Sequence, residues 1–488
     1  MFINQQTKRD FLQFVTRVCR LGYDFKNQTK TLALPSSSVT EIIVPTLPVE
    51  GTELPALVDE FEQLLDKSVN FSSVNFMGFP DCGTSSAAIL AAILLEFAQQ
   101  NQINQSFCSK TLTQIELITI CWMRKLLGYT VKDNITSALE AGGICTNGGT
   151  ASNTTALLIA RNKFYHECAS TGLFGKSKAY VIIPEHIGHY SVKESCSWIG
   201  LGDNFLEVPT CDFRYDLKQL NSTLHKYKGK IMAVVAYAGD SRTQTIEHLQ
   251  DVYNIVKSVD ESIWLHCDAC HGFVLAFSKL LKSKIKGIEL FDSITIDPHK
   301  ALYLPYTLSM LLVRDYNDLT FVQSKSELIM SQNYDLGQFT PFIGSKRADS
   351  LKLYATVKNL GVSKISELIE KRVSLATFLY EKLNKHRHFL TLNVPDYNAV
   401  MFLHTGFDQS ASVEEIIALN KEIYQALNQR GDYYLHQFPI IVQEGQFANR
   451  VVYPLRYMSG NNNLDRQKIN QMLEYIDTIA KEVSNNAN

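Results

Sequence analysis

The sequence predicts an α/β protein built on a large, mostly parallel sheet covered by helices, preceded by a helical N-terminal segment and followed by a smaller α+β C-terminal domain. Three observations carry that prediction. From about residue 145, short β-branched runs alternate with helical stretches, the order that yields parallel strands joined by helical crossovers. The first 130 residues instead keep a helical period, with apolar residues at i, i+3 and i+4. At 488 residues the chain is long enough for one large α/β core with satellites, so burial is not limiting and no staple is needed.

Taken in order, the helical segments of residues 1–130 are 54–69, 85–99 and 111–127. Residues 131–345 form the large domain, with strands at 179–183, 205–208, 231–237, 263–267, 293–296 and 308–313 and helices at 150–168, 217–227 and 246–259. Such a sheet binds its ligands at the carboxyl ends of the strands. Residues 324–343, polar and weakly periodic, with Tyr334, Gly337 and Pro341, read either as a mobile lid or as an ordinary surface connection. Residues 346–488 form the C-terminal domain: helices at 350–360 and 363–385, strands near 399–404 and 450–457, and a closing helix after Leu464.

Lys and Arg total 47 against 49 Asp and Glu, a formal net charge of −2. A nucleic-acid or anionic-membrane surface wants clustered basic side chains, so a small-molecule partner is expected instead. Ten cysteines are spread over the first 270 residues, most in apolar surroundings such as Ile120-Cys121-Trp122. A secreted disulfide scaffold would be short and cysteine-dense, so buried, reduced thiols are expected. The opening MFINQQTKRD lacks the basic-then-apolar order of a signal peptide. The longest apolar stretch, 87–98, is interrupted by Glu96 and falls short of the roughly 20 residues that span a bilayer. A cytoplasmic protein with no membrane and no nucleic-acid partner is the expectation.

Four motifs carry chemistry. Asn147-Gly148-Gly149-Thr150-Ala151-Ser152-Asn153 precedes a helix rich in Ala and Leu. Adjacent glycines let the backbone approach an anion, the Thr150 hydroxyl can donate, and the new helix offers unpaired N–H groups and a favourable dipole. Alone, Gly-Gly before a helix is more often a tight turn. His266-Cys267-Asp268-Ala269-Cys270-His271 ends the strand at 263–267 and admits several readings. Haem attachment at C-x-x-C-H normally follows export, structural zinc wants four closed ligands of which this string supplies half, and a redox pair wants an exposed thiol at a helix start. What remains is a carboxylate, Asp268, at the end of a buried strand, where it is costly unless it meets a cation. No metal is expected.

Asp297-Pro298-His299-Lys300 closes the strand at 293–296. The apolar neighbours Ala301, Leu302, Tyr303 and Leu304 predict a partly desolvated Lys300 with a lowered pKa, as a Schiff-base nucleophile requires. His186-Ile187-Gly188-His189 follows the strand at 179–183. A loop histidine is ordinarily no more than that, but four strand ends contributing a phosphate donor set, a histidine, a buried carboxylate and a lysine describe a site.

In this order the four motifs resemble the pyridoxal-phosphate-dependent group II decarboxylases, a fold-type-I family that includes aromatic amino acid, glutamate, tyrosine, histidine and diaminobutyrate decarboxylases. The resemblance covers roughly residues 70–475, and 79 residues separate His189 from Asp268 and 32 separate Asp268 from Lys300, much as in the family. It implies a fold-type-I transferase-like architecture with pyridoxal 5'-phosphate as cofactor. By the resemblance Lys300 forms the internal aldimine, Asp268 pairs with the pyridine nitrogen and His189 stacks on the ring. Gly149, Thr150 and Ser241 match phosphate-binding positions, and His299 matches the histidine before the lysine. Tyr334 is the candidate, by approximate position, for the loop tyrosine that reprotonates Cα.

The implied reaction removes the α-carboxylate of an L-amino acid through the aldimine and a quinonoid, giving an amine and carbon dioxide. Another carbon-carbon lyase, an aldehyde synthase or an aminotransferase on the same scaffold is the alternative. Family enzymes are dimers with the active site at the interface, so residues 1–130 are expected to act as a partner clasp. Cys270 stands where the family often has an alanine against the ring, Ala301 replaces a common tryptophan, and Asp240 and Gln244 replace a threonine and a glycine of a family turn. The run from Lys300 to Tyr306 is closer to the bacterial tyrosine decarboxylases. On the substrate side, Phe79 and Asp81 are the candidates, and Asp81 reads either as a contact to a cationic side chain or as the start of the helix at 85–99. The cofactor site is legible; which amino acid is the substrate is not.

Overall fold

In the computed structural model, which describes residues 2–31, 42, 44–81, 83–408, 410–442, 445–458 and 460–486, seven strands form one sheet. They are β1 (Gly143–Thr146), β2 (Tyr180–Pro184), β3 (Phe205–Val208), β4 (Ile231–Tyr237), β5 (Trp264–Asp268), β6 (Ser293–Ile296) and β7 (Ser309–Val313). Their order across the sheet is β1-β7-β6-β5-β4-β2-β3. Neighbours from β6 to β3 are parallel, while β7 runs antiparallel to both β6 and β1. All side chains of β4, β5, β6 and β7 are buried, so these strands are covered on both faces and hold together only between two layers.

The covering helices follow their strands directly. Gly149–Phe164 follows β1, Tyr190–Trp198 follows β2, Leu217–Lys226 follows β3 and Leu249–Val259 follows β4. Leu249–Val259 buries Leu249, Val252, Val256 and Val259, one face at helical spacing. Leu217–Lys226 starts where Asp216 accepts from the N–H groups of Lys218 and Gln219 at 2.9 and 3.2 Å, and buries Leu220 and Leu224. Gly149–Phe164 is buried over most of its length from Ser152 onward, while its first turn is half-buried.

The chain groups into two compact units: Met1–Gly83 with Phe378–Leu392 and Met401–Asn488, and Thr84–Thr377 with Asn393–Val400. The second contains the seven-stranded sheet, and the helices Ser86–Ala98 and Lys110–Leu126 belong with it. Arg124, at the end of the latter helix, is 2% exposed and donates to the carbonyls of Gly142, Thr130, Val313 and Arg314, tying that helix to the start of the edge strand β1 and the end of its neighbour β7. The helical run Ser350–Asn384 is interrupted at Gly361, whose φ of 68° only glycine adopts without strain, at the break between the two helices expected from the sequence.

The first unit carries a four-stranded sheet of β8 (Phe389–Thr391), β9 (Ala399–His404), β10 (His436–Gln437) and β11 (Leu455–Met458), in the order β8-β9-β11-β10. β8 pairs antiparallel with β9, and β10 with β11. The single strand expected at 450–457 is two, Val451–Val452 and Leu455–Met458, because Pro454 lacks the N–H that would continue the ladder. The helix Val413–Arg430 opens on a capping box between Ser412 and Glu415.

Among the described residues no helix is long and apolar enough to cross a membrane. Nine cysteines are described and all are unpaired; Cys145, Cys168, Cys196, Cys267 and Cys270 are buried as expected, whereas Cys19 and Cys211 are exposed. Cys82 lies outside the described residues.

Candidate active site

Five chain segments meet at one rim of the large sheet. The turn after β1 brings Asn147 to Asn153, the loop after β2 brings His189, β4 ends in Tyr237, β5 in Asp268, and β6 leads into Asp297 to Lys300. Together with Ser241, Cys270, Tyr306 and a few neighbours they line a single cavity of about 270 Å³. The sequence-predicted Gly149, Thr150, His189, Ser241, Asp268, Cys270, His299 and Lys300 all fall on it.

Asp268 is 6% exposed, and its carboxylate is held by two donors: Asn153 Nδ2 at 2.8 Å and the Cys270 N–H at 3.1 Å. His189 caps the helix Tyr190–Trp198. Its Nδ1 lies 2.6 Å from Ser191 Oγ and accepts the Ser191 N–H at 3.2 Å, and its own N–H donates to the Tyr237 hydroxyl at 2.8 Å. Burial pushes the His189 imidazole below its ordinary range, against the pull of Asp268. His299 is buried, with Nδ1 2.7 Å from the Leu308 carbonyl.

Lys300 corrects the sequence expectation. Burial pushes its pKa down most of all, but the groups around it, Asp297 foremost and Asp268 with it, together outweigh burial and hold the ammonium well above the ordinary lysine range. The amine lies 2.8 Å from Asp297 Oδ2. Asp297 in turn is held at about 2, burial being overcome by Lys300 and His299.

Tyr334 does not line the cavity; its hydroxyl donates to the Ile135 carbonyl at 3.0 Å. The segment around it is tied down by the fully buried Asp335, which accepts from the N–H groups of Gln105, Ser331 and Gln332 at 2.8, 3.1 and 2.8 Å and from Asn104 Nδ2 at 3.2 Å. Phe79 and Asp81 belong to the other compact unit. There the Phe79 ring packs against Tyr434 and His436, with centroids 6.2 and 4.7 Å away, and beneath the guanidinium of Arg456. Sequence reasoning assigned no role to Asn153, Ser191, Tyr237, Asp297 or Tyr306. Asn153 and Asp297 stood inside the motifs it singled out, and Asn153 is one helical turn beyond Gly149.

The residues present fit a phosphorylated pyridine aldehyde. A Cβ on Gly149 would lie 2.7 Å from Cys270 Sγ and 2.9 Å from Asp297 Oδ2, so only glycine lets the helix start come this close to the cavity wall. Its first N–H groups have no intrahelical partners and face an anion naturally. Asp268 provides a buried anion for a protonated ring nitrogen, and Lys300 the amine for an aldehyde. Among the described residues no group of three or more His, Cys, Asp or Glu side chains is placed to hold a metal ion.

The chain is similar to known proteins. A profile described as the pyridoxal-dependent decarboxylase conserved domain matches residues 37–404. The L-aspartate decarboxylase dtxS4 of Metarhizium robertsii is 28% identical over 394 residues, 78% of this chain and 76% of that protein. The aspartate 1-decarboxylase of Aliivibrio fischeri is 26% identical over 404 residues, 77% and 73% of the two chains. The crystal structure of mouse CSAD superposes with a TM-score of 0.86 over 97% of this chain and 99% of that one, at 18% identity, so the expected fold-type-I architecture is present. The chain therefore belongs to the pyridoxal-dependent decarboxylase family, amino acid carboxy-lyases whose cofactor is pyridoxal phosphate.

Proposed function

We propose that this protein carries its cofactor on Lys300 and removes the α-carboxylate of a small L-amino acid, releasing carbon dioxide and the amine. The observation that carries the reading is the convergence of the Lys300 amine and the Asp268 carboxylate on one cavity headed by the Gly149 helix start. When bound, pyridoxal phosphate supplies a pyridinium ring that accepts the electron pair left on Cα as carbon dioxide departs. Asp268 is assigned to hold the proton on the ring nitrogen. His189, kept neutral by burial, covers the ring without adding charge. Gly149, Thr150, Ser241 and His299 are assigned to the phosphate, and Cys270 to the ring face. Lys300 would supply the amine that holds the cofactor aldehyde. Tyr334 is proposed to give Cα its proton, which requires its hydroxyl to leave the Ile135 carbonyl.

Phe79 and Asp81 are proposed as substrate contacts. A homodimer with the site at its interface, clasped by helices within residues 1–130, belongs to the same reading. It is supported by exposed apolar side chains on Ser86–Ala98: Leu90 at 66%, Leu94 at 57% and Phe97 at 52%. The buried, unpaired thiols support a cytoplasmic setting.

The test is a screen of the protein amino acids and common diamino acids, beginning with aspartate, on which two relatives act by name. Carbon dioxide and amine in equal amounts are expected. An aldehyde or keto acid in place of the amine would move the protein to another reaction on the same scaffold. A yellow chromophore that borohydride bleaches and that vanishes in Lys300→Ala is expected, and its persistence there would remove Lys300 from its role.

A further inference from the structure

We propose that Asp297 is a positioning residue for Lys300: the ε-ammonium docks on its carboxylate whenever the lysine is not joined to cofactor, and the strength of that pair governs how readily the amine attacks the cofactor aldehyde. This rests on the reading that Lys300 carries the cofactor.

Asp297 follows β6 and is 0% exposed. Each of its carboxylate oxygens is engaged. Oδ1 accepts from Ser309 Oγ on β7 at 2.5 Å, and Oδ2 lies 2.8 Å from Lys300 Nζ. The start of the Gly149 helix closes the carboxylate off from the other side, since a Cβ on Gly149 would come within 2.9 and 3.0 Å of its two oxygens. A buried carboxylate without a counter-charge is unstable, and Lys300 supplies the nearest cation. The Lys300 side chain keeps 25% of its accessibility while that of Asp297 keeps 1%, so the lysine can leave and the carboxylate cannot follow.

The other groups facing the amine are Asp268 and Cys270 from the end of β5, His189 from the loop after β2 and His299 on the same turn. Burial pushes the Cys270 thiol up and the His189 imidazole down, so both are neutral near pH 7 and the anions the lysine meets are the carboxylates of Asp297 and Asp268.

Joining lysine to cofactor first takes a proton from the ammonium. The neutral nitrogen then bonds to the aldehyde carbon, the aldehyde oxygen leaves as water, and one proton returns to the nitrogen. Every carboxylate that stabilises the ammonium slows the first step.

The experiment strips the full-length protein of cofactor with hydroxylamine and follows recapture of pyridoxal phosphate by absorbance across pH. In Asp297→Asn capture near pH 7 is expected to quicken about tenfold or more, since one unit of lysine pKa is a factor of ten in neutral amine, and the pH profile should move to lower pH. An unchanged rate and profile overturns the proposal. A second measurement needs no variant: acetic anhydride labelling of Lys300 in the stripped wild type, read by peptide mass across pH, should give an apparent pKa above the ordinary lysine value of about 10.4. A value at or below it overturns the proposal as well. Borohydride trapping with peptide mapping separates the two ideas. Cofactor found on another lysine removes the proposed function and this inference together. Cofactor on Lys300 with unaltered Asp297→Asn kinetics removes this inference alone.

Discussion

Asn153 joins the buried carboxylate of the site to a histidine behind it: Nδ2 donates to Asp268 Oδ2 at 2.8 Å while Oδ1 lies 3.0 Å from His266 Nε2. With the amide oriented in that way, His266 carries its proton on Nε2, and Nδ1 accepts from Ser293 Oγ at 2.8 Å. Ser293 Oγ in turn receives the Trp264 Nε1–H at 2.9 Å. The bonds run one way, from the indole through serine, imidazole and amide to the carboxylate. A branch from Asn153 Nδ2 to Ser191 Oγ at 3.2 Å reaches the Nδ1 of His189. A single side chain thus orients both the carboxylate and the imidazole of the site.

Removing that side chain leaves buried polar groups without partners. Asn153→Ala is expected to cost about 1–3 kcal/mol of stability and to weaken cofactor binding. Asn153→Asp should do worse, because two carboxylates buried against each other cannot both ionise. Thermal unfolding and cofactor titration measure both effects. Wild-type cofactor affinity in Asn153→Asp would show that the amide does not orient Asp268.

The same chain predicts a pH dependence. Burial, opposed by Asp268, pushes the His266 imidazole from 6.5 down to about 4. Between those values the unfolded chain takes up a proton that the folded protein refuses, so stability falls as pH drops from 6.5 to 4. The full effect is on the order of 3 kcal/mol. Glu247, raised by burial from 4.5 to about 7, acts with the opposite sign: the folded protein binds the extra proton, so stability falls as pH rises through that window. The total slope is therefore mixed, and the difference between wild type and His266→Asn isolates the histidine. Parallel stability curves over that acid range would exclude His266 as a source.

Much of this was legible before the structure, and the reasons differ by element. β4 and β6 occupy the ranges expected, because long or β-branched runs buried on both faces leave one reading. The residues that line the cavity were legible because strand ends carry them. Missed were β1, four residues including a glycine and a threonine, and the helix Tyr190–Trp198, whose buried face includes Ser191, Ser195 and Cys196. Polar residues buried against polar partners carry no periodic signal. Lys300 misled because the residues after it are apolar, while Asp297, three residues before it, lies 2.8 Å from its amine. The extent of the helices Ser86–Ala98 and Lys110–Leu126 was readable, but not that they group with the sheet, which depends on contacts such as those of Arg124.

Gly149 allows a test of the cavity wall. Gly149→Ala would put a methyl group 2.7 Å from Cys270 Sγ, and the helix start must retreat. Cofactor affinity is expected to fall by roughly tenfold or more, the equivalent of the 1–3 kcal/mol that overpacking costs. Cys270→Ala added to it removes the sulfur but leaves the clash with Asp297, so recovery should be partial. Equilibrium titration of pyridoxal phosphate into stripped protein reads both steps. Unimpaired binding in Gly149→Ala would mean that the helix start does not contact the cofactor.

Two tyrosines compete for the last proton transfer. Tyr306 lines the cavity at 51% exposure with its ring 5.0 Å from that of His299, whereas Tyr334 is bonded outside it. If Tyr334 is the acid, Tyr334→Phe lowers the yield of amine per turnover by about 10²–10⁴ while carbon dioxide release in the first turnover persists, the range for loss of a general acid. Tyr306→Phe should then alter KM more than amine yield. The reverse pattern in rapid-quench product analysis would transfer the role to Tyr306.

The helix Ser86–Ala98 is apolar almost all round, and that decides where a second chain should dock. Ala88, Ala91 and Leu95 are buried within its own unit, whereas Leu90, Leu94 and Phe97 stand outward at i, i+4 and i+7. Covering each outward side chain is worth about 1.5–3 kcal/mol, so three on one stripe favour a permanent partner, and in the proposed homodimer a second copy of the chain would supply it. Leu90→Glu with Leu94→Glu places two charges on the stripe without touching the buried face. Sedimentation should then give a single chain where the wild type gives two, with circular dichroism unchanged. Decarboxylation should fall with the loss of the dimer if a partner completes the cavity. A wild type that sediments as one chain, or a double variant that stays paired, would place the interface elsewhere or remove it.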